Sequence, residues 1–356
     1  MAQAQIAIIG TGLIGTSIGL NLVAKPGRHY AVIGADRDRS AARMAKKMGA
    51  IDRDVGSLEE ALEGSGLVIL AIPVMGARQV LQDAARYLQP GTVVTDTCSS
   101  KSDIMEWAAE YLPAGVHFVG GHPMAGKEQS GPQAASAELF REATWAVTPS
   151  PAADEDAVQI VLGLIESMGA VPLYIDPAEH DQYAAAISHM PILLSVALFR
   201  MARDSHAWED MALLSGPAFK DLTRLASGDP TMARDIIGTN RDAILHWLRR
   251  FRDELDTVTE AVELGGEPVT DLLTSTQMDR DTFLLTPPLR RRPEGVPLPS
   301  AQDAVGRLFV GGVYDKLKQA TNADTGTGRD RRRELGTDKA DRGRWLPGAR
   351  NDDGQP

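Results

Sequence analysis

The stretch Gly10-Thr11-Gly12-Leu13-Ile14-Gly15 constrains this chain more than any other. It follows the β-branched run "QIAIIG" (5–10) and opens a segment of helical periodicity. Glycine at 10 permits a tight turn, and glycine at 12 lets the backbone approach a pyrophosphate. Glycine at 15 lets the helix pack against its strand. The helix N-terminus then offers unpaired N–H groups to phosphate. Glycine turns after strands are common, so a second sign is needed. Asp36 supplies it, 21 residues after Gly15 at the end of the run 30–36, where an acid binds a ribose 2′-hydroxyl.

The pattern therefore predicts a dinucleotide site for NAD. Leu13 and Ile14 in the loop, with Ile72 and Pro73 at the end of the run 66–73, complete the expected contacts. A carboxylate at 36 repels a 2′-phosphate, whereas Arg37 and Arg39 beside it keep NADP open.

Further short β-branched runs at 66–73, 91–96, 116–121 and 143–149 alternate with helical stretches. That alternation predicts an α/β fold, an N-terminal Rossmann-type doubly wound sheet over 1–152. From 153 to 276 the pattern is helical, with one candidate strand at 170–176. Asp176-Pro177-Ala178-Glu179 carries a capping side chain, proline at the first helical position and glutamate at the third. Residues 277–356 read as a Pro/Arg linker, one possible helix at 304–320 and a tail too polar to fold alone.

A formal charge of −11 argues against a nucleic-acid partner, which requires a basic face. It also means that an anionic substrate must be held by a few placed cations. The lone cysteine, Cys98, excludes a disulfide framework and fits a reducing cytoplasm. No Cys/His cluster has metal-ligand spacing, and the apolar runs read as too short for a bilayer. The N-terminus lacks the basic region of a signal peptide.

Ligands of open α/β sheets sit beyond the carboxyl ends of the strands. Two polar, small-residue stretches reach that edge: "DTCSSK" (96–101) and "GGHPMAGKEQSG" (120–131). An isolated histidine is more often structural than catalytic. At a strand end in a dinucleotide-binding domain, however, His122 suits removal of a proton from a carbinol as hydride leaves. Ser99 on the neighbouring loop is placed to bond the same hydroxyl or orient the ring. Lys101 and Lys127 are weaker candidates for an anion. His180 and His189 lie nine residues apart, on opposite faces of a straight helix, and Pro191 can kink it. His189 reads as the pocket-lining member and His180 as a structural hydrogen-bonder.

The motifs "GTGLIGTS", "DTCSSK", "GGHPMAGKEQSG", "EHDQYAAAISHMP" and "FKDLTRLASGDP", in this order, resemble the prephenate/arogenate dehydrogenase family of tyrosine biosynthesis over residues 5–265. The resemblance implies a helical domain that forms a homodimer. It also implies NAD-dependent oxidative decarboxylation of a cyclohexadienol, prephenate or arogenate. By the same resemblance His122 is the base, Ser99 assists it, Arg224 binds a substrate carboxylate with Asp221 beside it, and Glu128 lies near the pocket entrance. Ile192 stands where many relatives carry a histidine, and Ala233 where a tryptophan is common. A β-hydroxyacid dehydrogenase would need a lysine that "HDQYAAAISHMP" lacks. A non-catalytic NAD-binding protein would leave His122 and Arg224 without a role.

Overall fold

The computed structural model describes residues 4–127 and 129–286. Glu128, the helix expected at 304–320 and the tail beyond it lie outside them. The alternating pattern forms one eight-stranded sheet. Its strands are β1 (Ala4–Ile9), β2 (Tyr30–Ala35), β3 (Arg53–Val55), β4 (Ser65–Leu70), β5 (Val93–Asp96), β6 (His117–Pro123), β7 (Thr144–Pro149) and β8 (Val171–Tyr174). The order is β3-β2-β1-β4-β5-β6-β7-β8, and every pair is parallel except β6 with β7. The chain reverses direction across the sheet between β1 and β4, which opens a crevice at their carboxyl ends.

Both faces of the sheet are buried. In β1, Ile6 and Ile8 join one core, and Ala7 and Ile9 join the other. Successive side chains of a strand point to opposite faces, so a strand covered on both sides reads as an unbroken apolar run. Helices α1 (Leu13–Val23), α2 (Arg39–Lys47) and α6 (Glu155–Ser167) cover one face. Helices α3 (Leu58–Leu62), α4 (Val74–Ala84) and α5 (Ser102–Tyr111) cover the other. Each large aliphatic side chain so buried contributes about 1.5–3 kcal/mol. Strand β3 has too few residues to show a pattern in sequence.

The division expected at 152/153 falls inside this body. Helix α6 packs on the sheet, and β8 pairs parallel with β7 from Thr144↔Val171 onward. The helical part begins at α7 (Pro177–Ala184), where the Asp176 carboxylate accepts hydrogen bonds from Ala178 N at 2.9 Å and Glu179 N at 3.2 Å. A π-helical turn (Ala185–His189) leads into α8 (Met190–Arg203). Then follow α9 (Trp208–Leu213), α10 (Pro217–Thr223), a 3₁₀ turn (Arg224–Ser227), α11 (Pro230–Thr239), α12 (Arg241–Leu264) and α13 (Gly266–Leu285). Helix α13 therefore runs through the start of the linker expected from 277.

One expectation about apolar length is corrected. The continuous helix Pro177–Arg203 is long enough, with a mean hydropathy of 1.5, to cross a bilayer. It carries buried His180, Asp181 and His189, and it packs along α10, α12 and the 3₁₀ turn. Protein, not lipid, answers its inner face.

Candidate active site

The glycine loop has the shape of a phosphate cradle. Gly10 adopts φ +96°, and a Cβ there would lie 2.3 Å from the Ala71 carbonyl oxygen and 2.4 Å from Ile72 Cγ2. A Cβ on Gly15 would lie 1.9 Å from the Gly10 carbonyl oxygen. At Gly12, by contrast, a Cβ would meet nothing within 4 Å. Open space thus faces the start of α1, whose N-cap Gly12 offers no side chain to its orphan N–H groups. Those groups and the positive end of the helix dipole suit a pyrophosphate. Leu13 and Ile14 form the first turn of that helix.

Asp36 closes the loop from β2. Its Oδ2 accepts from Thr11 N at 2.7 Å and Thr11 Oγ1 at 3.2 Å, and its Oδ1 accepts from Asp38 N at 2.8 Å. The carboxylate is fixed in place with lone pairs left for a ribose diol. Arg39 turns away, donating to the Val55 carbonyl and pairing with Asp54 at 3.5 Å. Arg37 is exposed, and Pro73 is the exposed N-cap of α4 beside half-buried Ile72. These residues fit a dinucleotide.

His122 is not in a bare loop, as its glycine-rich surroundings suggest. It lies within β6, paired with Ala146 of β7, and is 7% exposed. The preceding glycines are demanded by packing. A Cβ on Gly121 would lie 2.7 Å from both the Asp96 carbonyl oxygen and Trp145 Nε1, and one on Gly120 would lie 2.2 Å from Thr148 Oγ1.

The imidazole of His122 has a protein partner. Its Nδ1 is 2.9 Å from Nε2 of His180, whose Nδ1 is 2.9 Å from Asp181 Oδ1. Asp181 also accepts from Lys101 N at 2.7 Å and Ser102 N at 2.8 Å. Burial pushes the Asp181 carboxyl up, but the hydrogen bonds from His180, Ser102 and Lys101 outweigh it and hold the group below its ordinary value. Burial, with smaller contributions from His180, Lys101 and His189, pulls His122 well below its ordinary value. The ring is uncharged at neutral pH.

Ser99 is half-buried on the loop between β5 and α5, and its hydroxyl makes no hydrogen bond among the described residues. Its backbone raises the pKa of His189 slightly. Burial dominates there and brings that imidazole down to about 4, against the Asp181 charge, which raises it, and His180, which lowers it. His189 Nδ1 accepts from Asn240 Nδ2 at 3.1 Å, and the same amide donates to the Asp181 carbonyl at 2.7 Å.

His180 and His189 therefore serve one network rather than opposite faces. The π-helical turn between them widens the spiral to i→i+5 bonding and changes the phase. Pro191, without an N–H and with its ring against the carbonyl four residues back, opens the ladder there.

Lys101 is no anion site. It is fully buried, its Nζ ion-paired with Asp96 and donating to the Gly121 carbonyl at 2.7 Å. Asp96 in turn accepts from Gly121 N at 3.0 Å and Cys98 N at 2.8 Å. This ion pair ties the end of β5 to the strand that carries His122. Lys127 is exposed and donates to the Ala134 carbonyl at 2.9 Å. Asp221 is exposed on α10, and Arg224 is exposed at the start of the 3₁₀ turn that packs along α8.

Sequence reasoning read His180 as a structural hydrogen-bonder but missed its partners, and it missed Asp181 and Asn240. The signal lay in "EHDQY", where two polar residues follow a capped helix start and precede an apolar run. Among the described residues, no cluster of His, Cys, Asp or Glu is arranged to hold a metal.

Residues 19–174 match the family model for the nucleotide-binding domain of prephenate dehydrogenase, and residues 176–277 match that for its dimerization domain. A prephenate dehydrogenase of Bacillus subtilis is 33% identical over 261 residues, 72% of this chain and 70% of that protein. One from Lactococcus lactis is 33% identical over 258 residues, 71% of this chain and 70% of that protein. The crystal structure of prephenate dehydrogenase from A. aeolicus in complex with hydroxyphenyl propionate and NAD+ superposes with a TM-score of 0.73 at 27% identity, covering 80% of this chain and 99% of that one. Synechocystis arogenate dehydrogenase superposes at 0.66 and 28% identity, covering 78% and 99%.

Proposed function

We propose that this chain, which belongs to the prephenate dehydrogenase family, carries out NAD-dependent oxidative decarboxylation of prephenate or arogenate on the route to tyrosine. The observation that carries the reading is one arrangement. A neutral, nearly buried imidazole at the carboxyl end of β6 shares a sheet edge with an open, uncapped glycine loop. Oxidation of a ring carbinol needs a base for the hydroxyl proton, and His122 is that base. Ser99, with its hydroxyl uncommitted, hydrogen-bonds the same oxygen.

When bound, NAD supplies the hydride acceptor. The carbon opposite the carbinol then loses carbon dioxide, and aromatisation drives the step. Arg224 holds a substrate carboxylate through its planar fork, with Asp221 setting the charge around it. The acidic body makes such a fork necessary. His189 lines the same pocket, Lys127 stands at its rim, and Glu128, outside the described residues, keeps the substrate-binding role that the family resemblance implies. Gly10, Gly12, Leu13, Ile14, Gly15 and Asp36 hold the dinucleotide, with Arg37, Ile72 and Pro73 around it.

The helical part forms a homodimer, which accounts for exposed apolar side chains such as Ile187, Met201, Leu213 and Leu214. We place the enzyme in the cytoplasm, a reading supported by its biosynthetic family and its single reduced, buried cysteine.

The test is formation of reduced cofactor by the purified full chain, with prephenate and arogenate each offered with NAD and NADP. Turnover of at least one substrate with NAD is expected. No turnover of either substrate with either cofactor would refute the assignment.

A further inference from the structure

We infer that His180 and Asp181 are positioning residues for His122, fixing its free lone pair on Nε2 and supporting the positive charge it acquires. This inference rests on His122 being the base. It concerns which nitrogen does the work, and why.

Four observations carry it. His122, His180 and Asp181 form an unbroken chain of hydrogen bonds, each 2.9 Å long. All three residues are less than a tenth exposed, so water does not compete for their protons. The Asp181 carboxylate is pinned from other directions by Lys101 N and Ser102 N, so it cannot swing away from His180. Asp181 also lines a cavity of about 470 Å³ with Ser102, Asp103, Asn240 and Arg241, so the chain ends at a cavity wall between the sheet and the helices.

With one proton on each ring, the chain of hydrogen bonds admits one arrangement. A carboxylate only accepts, so His180 Nδ1 carries a proton and donates it to Asp181. With a single ring proton, placed on Nδ1, His180 has its lone pair on Nε2. That lone pair requires His122 to donate from Nδ1, and the lone pair of His122 is left on Nε2.

The step balances simply. The substrate O–H breaks as a new N–H forms on His122 Nε2, while the hydride carries its electron pair to the cofactor. His122 becomes an imidazolium whose Nδ1–H stays bonded to His180. The charge of Asp181 reaches it through that bridge, and Asp181 itself takes no proton.

The experiment compares full-length His122→Asn, His180→Phe, His180→Gln and Asp181→Asn with the unaltered protein. It measures kcat, KM and NAD affinity, and the imidazole ¹⁵N resonances of His122. Glutamine reproduces both halves of the bridge, an oxygen that accepts and an amide that donates; phenylalanine reproduces neither. His180→Phe is expected to lose about 10²-fold in kcat with KM and NAD affinity near normal, and His180→Gln to recover most of that loss. Asp181→Asn should lower kcat without moving NAD affinity. The unaltered protein should show His122 protonated at Nδ1, and His180→Phe should move that proton to Nε2.

A wild-type kcat in His180→Phe, or His122 protonated at Nε2 in the unaltered protein, overturns the inference. If His180→Phe does not fold, the resonances of the unaltered protein decide alone. An inactive His122→Asn alongside active His180→Phe and Asp181→Asn would remove only the positioning role. An active His122→Asn would remove the base assignment and this inference together.

Discussion

Nδ1 of His122 lies 2.9 Å from Nε2 of His180, joining a strand of the nucleotide-binding sheet to the first helix of the helical domain. In the proposed reading His122 is thereby oriented by the part of the chain that also carries Arg224. On that reading the cofactor loop and His122 belong to the sheet, and His180, Asp181 and Arg224 belong to the helices.

Acid should loosen the protein through His189. Its folded pKa of about 4 lies below the ordinary value of 6.5, so between those values the unfolded chain binds the extra proton. Stability therefore rises with pH through that window and is lost as pH falls from 6.5 toward 4. The shift corresponds to roughly 3 kcal/mol. Urea unfolding at pH 7 and pH 4.5 should show a loss of that order, and His189→Gln should flatten the dependence. His122, held well below its ordinary value, adds in the same direction.

Lys101→Met should be strongly destabilising. It strands Asp96 as a buried carboxylate bonded only to backbone N–H groups, a change worth about 3–5 kcal/mol. Chemical denaturation measures it directly. If Lys101 were an anion-binding residue, as its motif alone suggests, stability would hold and only the substrate KM would rise.

Asp36→Ser should weaken NAD and narrow its advantage over NADP. Loss of hydrogen bonds to a charged group costs about 1.5–3 kcal/mol, or roughly 10- to 100-fold in affinity. Fluorescence titration with both cofactors is the check. With Arg39 committed to Asp54 and Val55, Arg37 is the cation left to meet a 2′-phosphate.

Much of this was legible in the chain because it depends on local rules. Gly10, Gly12, Gly15 and Asp36 declare a cofactor loop by spacing, and Asp176-Pro177 declares a helix start. What stayed hidden depends on long-range packing. Gly121 looks like room for a ligand, yet its missing Cβ makes way for Asp96 and Trp145. Lys101 looks like a free cation until β5 and β6 are side by side. His180 and His189 fall on opposite faces of a regular helix, and only the π-helical turn brings both into one network. No periodicity in the sequence announces that turn, although Pro191 hints at it.

The most direct test of the account is turnover by His122→Asn with prephenate or arogenate, alongside NAD affinity on the same sample. The account predicts a fall in kcat of about 10²- to 10⁴-fold, the usual worth of a general base, with NAD affinity within a factor of about three. A variant that binds NAD and turns over at the normal rate would contradict it.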